Sequence, residues 1–449
     1  MIDTQYFTVA SRKQAGQPMF RSPDLIVGLG LGLAVATQGV QMPGVPTSLG
    51  NVLLLMTVFG VLIAKPERIL AGHLGGFDVI VIAYFVARVV TDVASAVVIG
   101  HGVSVGNIYG SIIYLGAYIC VLARSVSMAS IRSLLVGFIA PAPVVALLAI
   151  LQLAGNGAAI TIISRYTTGE AAIDRISTDR LVRGSSTLGH WTALGGYCIV
   201  VTAACLILLA LGVRNMYVYV ALTAVTLAAL TTLTSSSVFG VAVLLVFGFG
   251  VMRRFSIVLL AVVVAGLAAF RTGIESRYEA QFTGAVVSDA PSWVPATLGA
   301  RWVYWTDQGI PAFLRQPVFG WGHRVYEFAT SYSYKPDVLL WPFAESEYIR
   351  ALVTGGLVLF VALVTLLVGS LILGLRAYRQ SKRREFRIWI VFVLVTMTIC
   401  FVTPYLSTSG LGAGFFILAG VARSLAVLNK KDRRLSPGLS VQNHGRDGS

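Results

Sequence analysis

Charged residues are scarce in this 449-residue chain. Asp, Glu, Lys and Arg make up 12% of it, about half the ~25% of an ordinary soluble domain. With 56% hydrophobic residues and a mean hydropathy of +0.80, that scarcity excludes a soluble globular protein and points to a polytopic membrane protein. Cysteine is equally sparse. Cys120, Cys198, Cys205 and Cys400 all fall in apolar runs, which excludes a disulfide framework and a cysteine metal site in the polar stretches. Those stretches also lack an Asp-x-Asp pair and a His pair at i, i+4, so no metal is expected. P-loop and dinucleotide patterns are missing too, and no cofactor is expected. The first ~20 residues lack an early apolar core but carry Arg12, Lys13 and Arg21. They read as a cytoplasmic tail over 1–24, not a cleaved signal peptide.

The charge that is present has one dominant sign. The net charge is +15 with pI near 9.9, and the basic residues sit mainly in short connectors on one side of the spans. That is the positive-inside asymmetry of a membrane protein, and it needs no nucleic-acid partner.

A bilayer core takes ~20 apolar residues per helix. Twelve runs fit, near residues 25–40, 49–64, 77–99, 106–124, 133–154, 187–212, 216–233, 235–252, 255–271, 347–375, 388–407 and 410–428. The expected fold is an all-α integral membrane protein of about 12 helices. Basic connectors at Lys65 and Arg68, Arg124 and Arg132, Arg214, Arg253 and Arg254, and 376–387 mark the inner side. Both termini are then cytoplasmic, with outward-facing loops at 155–186 and 272–346. The domain order is nine spans over 25–271, the large outer loop 272–346, three spans over 347–428, and a disordered basic tail over 429–449.

The stretch 299–356 is the exception to this apolar pattern. It holds Trp302, Trp305, Trp321 and Trp341, Arg301, Arg315, Arg324 and Arg350, and the carboxylates Glu345 and Glu347. Arg301, Trp302 and Trp305 fit an amphipathic helix on the membrane surface, where Trp rings anchor at headgroup level. Gly320-Trp321-Gly322-His323-Arg324 reads as a tight turn presenting a His and an Arg. Glu345 and Glu347 sit at a span mouth, either as solvated caps favoured by the helix N-terminus or as a general base near arginines. In the other outer loop, Arg175, Arg180 and Arg183 precede a Gly-Ser-Ser-Thr turn; they suit phosphate oxygens or lipid headgroups equally. His190, expected one turn into the next helix, suits a helix–helix hydrogen bond. Arg88 and Asp92, at i, i+4 within a span, read as a self-satisfied pair or as the lining of a lipid-phosphate path.

Three segments carry a resemblance. ARWVYWTDQGIPAFLRQPVFGWG at 300–322 is similar to an Arg-x-x-x-Trp then Pro-x-x-Gly-x-Gly pattern. ESEYIRALVTGGLVLF at 345–360 looks like a His-Asn-x-Tyr-Leu segment running to a Gly, and LTTLTSSSVFGVAVLL occupies the place of a Ser-Arg-Gly run. In this order they resemble the bacterial O-antigen ligase and O-antigen polymerase superfamily, glycosyltransferases with a fold of the GT-C type. Glu345 stands at the family's His position, Ser346 at its Asn and Ser237 at its Arg. Those departures point to a polymerase-like member over a ligase transferring finished glycan to lipid A core.

The resemblance implies an enzyme in the bacterial plasma membrane, the inner membrane of a Gram-negative cell. It would polymerise or transfer undecaprenyl-pyrophosphate-linked oligosaccharide for O-antigen, capsule or exopolysaccharide assembly, with inversion and without metal. Its partners would be that donor, membrane lipid, and a chain-length regulator or flippase. Arg301 would stabilise the leaving pyrophosphate with help from Arg180 or Arg183. Glu345 would be the base, with Glu347 in reserve. Arg324, Arg350, Arg88 and His323 would contribute to substrate binding, and Trp302 and Trp305 would stack on sugars. The rival readings are a lipid-linked sugar flippase or other transporter, a peptidoglycan polymerase and a membrane scaffold.

Overall fold

The computed structural model describes residues 22–42, 47–64, 74–167, 183–252, 256–282, 296–326, 335–340, 343–407 and 411–435. Among these, the regular elements are helical, apart from isolated bridges at Val40–Thr167 and Gln41–Ser48. The first half contains α1 (Pro23–Ala36), α2 (Leu49–Ala64), α3 (Gly76–Ile99), α4 (Val105–Arg124), α5 (Met128–Phe138), α6 (Ala142–Leu153) and α7 (Gly157–Tyr166). Then come α8 (Trp191–Ala210), α9 (Met216–Thr231), α10 (Ser235–Met252) and α11 (Ser256–Ala269). The stretch before α15 contributes α12 (Arg271–Phe282), α13 (Ala296–Val303) and α14 (Ile310–Arg315), and α15 (Glu347–Ser381), α16 (Arg384–Ile399) and α17 (Leu411–Leu435) follow.

Six helical stretches among the described residues are long and apolar enough to cross a membrane: α3, α4, α5 with α6, α8, α15, and the Leu411–Lys431 part of α17. Five further apolar helices of 10–17 residues accompany them, at Pro23–Ala36, Leu49–Ala64, Met216–Thr231, Ser235–Gly248 and Leu259–Ala269. The protein is a helical membrane protein.

α8 is the hub. It is apolar on every side and buried from Ala193 to Leu209, as expected of a helix surrounded by other helices. It packs against α9, α10, α16 and α17. α15 packs along α3, and α1 lies tightly on α5. The last contact depends on glycine: a Cβ at Gly28 would come within 2.0 Å of the Leu134 carbonyl oxygen, the close backbone approach that small residues allow in membranes.

Some boundaries differ from expectation. The run 133–154 is two helices, interrupted at Pro141, whose ring cannot continue the ladder behind it. The 272–346 loop is partly helical, through α12 to α14, with a π-helical turn at Tyr304–Gly309. The tail expected as disordered from 429 begins as helix, since α17 runs to Leu435. The expected amphipathic segment at Arg301 and Trp302 is the end of α13.

Candidate functional site

The site is built on a break in α15. Gly356 has φ 60° and ψ −158°, outside helical space, and it interrupts the i→i−4 ladder inside an apolar helix. Freed backbone groups at such depth need partners from the protein itself. The segment 317–322 supplies them. Trp321 and Gly322 N–H groups donate to the Val353 and Thr354 carbonyls at 2.8 and 2.9 Å. Leu357 N–H donates to the Pro317 carbonyl at 2.8 Å, and Val358 N–H to the Val318 carbonyl at 3.4 Å. A Cβ on Gly356 would stand 2.3 Å from the Val318 oxygen, and one on Gly320 (φ 66°) 2.6 Å from the Gly355 nitrogen. The Pro-x-x-Gly-x-Gly segment and the Gly355-Gly356 pair are therefore two halves of one joint.

The turn that leaves this joint is fixed from the other side by α3. Asp92, fully buried, accepts from His323 N–H at 2.8 Å through Oδ1 and from Ser104 N–H at 2.9 Å through Oδ2. His101 adds a contact between its Nε2 and the Trp321 carbonyl at 2.9 Å. The expected Arg88–Asp92 pair therefore does not form. Arg88 turns instead to Asn107, donating to Oδ1 from Nε at 3.3 Å and from Nη2 at 2.7 Å. Spacing puts both residues on one helix face, but Asp92 is taken up by two backbone amides of the loops above it.

Around the joint lies a narrow cavity lined by Tyr84, Arg88, His323, Glu347, Arg350 and Thr354, among others. Its volume is about 10 Å³, close to the room one water needs and so to that of one hydroxyl or phosphoryl oxygen. Three buried nitrogens of its lining have no hydrogen-bond partner: Arg88 Nη1, Arg350 Nε and His323 Nδ1. An unsatisfied buried donor is costly, so the two guanidinium nitrogens at one cavity mark a place built for an incoming acceptor. Burial, reinforced by the positive charges of Arg88 and Arg350, holds the His323 imidazole well below its usual range and keeps it neutral. Glu347 is the cavity's carboxylate. It is buried at 3% exposure and accepts from Ser407, the backbone N–H at 3.1 Å and the hydroxyl. Two guanidinium groups, one carboxylate and a neutral imidazole leave a formal charge of +1, which favours an anion.

The other expected site residues stand in different roles. Arg301 Nε donates to Glu345 Oε2 at 3.0 Å, with both side chains about a quarter exposed. The structure brings these two together, but neither lines the cavity. Arg183 is buried and donates to the Thr232 and Leu233 carbonyls at 2.8 and 3.1 Å and to Thr234 Oγ1. Its guanidinium also lies 4.4 Å from the Trp191 ring centroid. It therefore caps the end of α9. Arg324 lies against Gly102. Arg180 and Trp341 lie outside the described residues. His190 is the N-cap of α8, its Nδ1 accepting from Thr192 N–H at 3.2 Å, so it precedes the helix and does not sit one turn inside it.

An aromatic cluster flanks the joint. Tyr304 and Tyr326 hydroxyls meet at 2.6 Å, and Trp321 Nε1 donates to the Ala312 carbonyl at 2.7 Å. Burial pushes the Tyr304 phenol up to about 12. Trp302 is 63% exposed and edge-on to Trp305 at 6.4 Å, while Trp305 Nε1 is buried without a partner. Asn107, Tyr84 and Ser407 went unnoticed in the sequence, being ordinary polar residues in apolar surroundings. Asp92 stands out in the sequence as a charge within a span, but its partners, the His323 and Ser104 amides, leave no trace there.

No curated protein matches the chain. Residues 200–364, from within α8 to just beyond the break in α15, match the family model described as O-antigen ligase. That match falls on the joint and most of the cavity, so this part of the chain is similar to the O-antigen ligase family.

Proposed function

We propose that the protein extends glycans on the outer face of a bacterial plasma membrane, transferring oligosaccharide from a polyprenyl-pyrophosphate donor to a sugar hydroxyl with inversion. The observation that carries this reading is the pair of arginines, Arg88 and Arg350, with unpartnered guanidinium nitrogens in one small cavity. A leaving pyrophosphate gathers negative charge on its bridging oxygen as the glycosidic bond breaks. Preorganised guanidinium donors in a water-poor cavity oppose that charge without reorganising. The cavity admits an oxygen, not a sugar ring, so the glycan is assigned to the aromatic loop outside it. There Trp302 presents a free face, and Arg301 with Glu345 forms a charged pair for sugar hydroxyls. The prenyl chain runs along the apolar spans.

The ligase reading is favoured by the description of the matched family. The polymerase reading is favoured by Glu345 and Ser237, which stand where the ligase pattern has His and Arg; Ser237 is buried on the Tyr405 hydroxyl at 2.9 Å. Reconstitution of the purified protein with a lipid-linked repeat unit tests both. Long glycans and released polyprenyl pyrophosphate are the expected products. Transfer only to lipid A core would make it a ligase. Movement of lipid-linked sugar across the vesicle without new glycosidic bonds would replace both readings with a flippase.

A further inference from the structure

We infer that Asn107 is a positioning residue of this site: it aims the Arg88 guanidinium at the cavity and leaves its positive charge uncancelled. This rests on the glycosyl-transfer reading above and adds the neutral side chain on which the phosphate-facing arginine depends.

Arg88 on α3 and Asn107 on α4 are both buried and bonded to each other three times. Asn107 Oδ1 accepts from Arg88 Nε at 3.3 Å and from Nη2 at 2.7 Å, and Asn107 Nδ2 donates to the Arg88 carbonyl at 3.2 Å. A guanidinium is planar and rigid, so holding Nε and Nη2 also sets the direction of Nη1. That nitrogen is the one buried without a partner, on a side chain that lines the cavity. Asn107 is itself anchored. Its N–H donates to the hydroxyl of Ser104, the N-cap of α4, at 3.3 Å, and its carbonyl accepts from the Ser111 hydroxyl at 2.7 Å. Ser104 in turn is tied to Asp92 through its own N–H at 2.9 Å.

The chemistry of this holder matters as much as its place. The strong fork partner of an arginine is a carboxylate, which would orient Arg88 equally well but neutralise it. An amide oxygen accepts the same bonds and carries no net charge. Asp92, one turn further along α3, is kept from cancelling Arg88 because its two oxygens are taken by the His323 and Ser104 amides. The formal charge of +1 in the cavity lining therefore depends on a neutral residue at 107. A carboxylate there would bring the sum to zero. Buried charges are screened far less than surface ones, so that change would weigh directly on a pyrophosphate.

Asn107→Asp tests this directly, because Asp has nearly the same shape, keeps an acceptor for both Arg88 nitrogens and changes the charge. Purified full-length wild type and variant are compared in detergent for melting temperature, for protection against unfolding by graded inorganic pyrophosphate, and for kcat on a lipid-linked donor. The expected result is a ligand-free melting temperature at or above that of wild type, weak or absent pyrophosphate protection, and a kcat lower by ~100- to 1,000-fold, the loss typical of one preorganised donor. A purely structural role would move the melting temperature and leave pyrophosphate protection alone. Wild-type protection and kcat in Asn107→Asp overturn the assignment and leave the glycosyl-transfer reading intact. If Asn107→Asp does not fold, a double-mutant cycle of Arg88→Ala and Asn107→Ala replaces it, read in the same two ways. A double variant no worse than Arg88→Ala supports action through Arg88, and additive losses overturn it. A wild-type protein that makes no glycosidic bond from any lipid-pyrophosphate donor removes the underlying reading instead.

Discussion

Asp92 and His323 lie 231 positions apart and are joined by a 2.8 Å hydrogen bond from the His323 backbone N–H to the Asp92 carboxylate. The other carboxylate oxygen holds Ser104 N–H at 2.9 Å, so one buried side chain in α3 secures two loops. Asp92→Ala should strand both amides at about 1–3 kcal/mol each, lowering the melting temperature in detergent and disordering the turn that carries His323. Asp92→Asn keeps one acceptor oxygen and should fall between wild type and Ala. Wild-type melting in Asp92→Ala would show that the clamp is not needed.

The joint between 317–322 and α15 predicts a contrast among glycines. Gly356→Ala puts a Cβ at φ 60° and 2.3 Å from a carbonyl oxygen. That glycine-only backbone conformation alone costs about 1–3 kcal/mol, and the clash would also force the two segments apart. Gly60→Ala, with nothing within 4 Å of the new Cβ, should be neutral or stabilising by about 0.5–1 kcal/mol. Melting temperature and glycan length of the two variants check this. Equal behaviour would mean the break is dispensable.

These relationships bear on what could be read from the chain beforehand. The membrane class, the weight of the 299–356 stretch and the importance of the glycine segments were legible, because hydropathy and glycine act locally. The pairing of Gly320 with Gly355 was not, because backbone bonds between distant segments leave no periodic trace. Arg183 and Arg88 make the same point about charge. In sequence, Arg183 suits a phosphate or a lipid headgroup equally, and Arg88 reads as half of an ion pair or as the lining of a lipid-phosphate path. In the fold, Arg183 is bound to carbonyls at the end of α9, and Arg88 has an open nitrogen in a cavity. A guanidinium's partners depend on which carbonyls the fold leaves unfilled.

His323 also predicts a stability effect on the acid side. Its pKa is depressed in the folded protein, so between that value and the ordinary ~6.5 the unfolded chain binds the proton first. The contribution is fully present above pH 6.5 and is lost as pH falls toward the folded value, by at most about 1.4 kcal/mol per pH unit. Subtracting the melting profile of His323→Asn from that of wild type should isolate this slope. A flat difference from pH 7 to 5 would mean that the buried imidazole does not stay neutral.

The Arg301–Glu345 pair predicts coupling. Each side chain is about a quarter exposed, so the pair should contribute only about 0.2–1 kcal/mol to stability. Its larger effect should appear in catalysis as non-additivity. If the two hold one sugar-binding geometry, Arg301→Ala with Glu345→Gln should be little slower than the worse single variant, measured as kcat/KM on the lipid-linked donor. Fully additive losses would mean that they act separately.

Arg88 and Arg350 offer the most direct test of the anion site. Removal of a preorganised donor to developing charge typically costs ~100- to 1,000-fold in rate, and Arg88→Ala and Arg350→Ala should each fall in that range. Lysine keeps the charge but not the planar fork. At Arg88 it could not reproduce the paired contact to Asn107 while also presenting a nitrogen to the cavity, so Arg88→Lys should remain well below wild type. Arg350 makes no such fork, so Arg350→Lys should recover more of the rate. Arg183→Ala should act differently, lowering melting temperature through the carbonyls it abandons, at about 1.5–3 kcal/mol per charged hydrogen bond. Inorganic pyrophosphate should protect wild type and Arg183→Ala against unfolding, and protect Arg88→Ala and Arg350→Ala weakly or not at all. If all three alanine variants are protected equally, the positive charge in this cavity does not serve a phosphate, and the leaving group must be stabilised elsewhere.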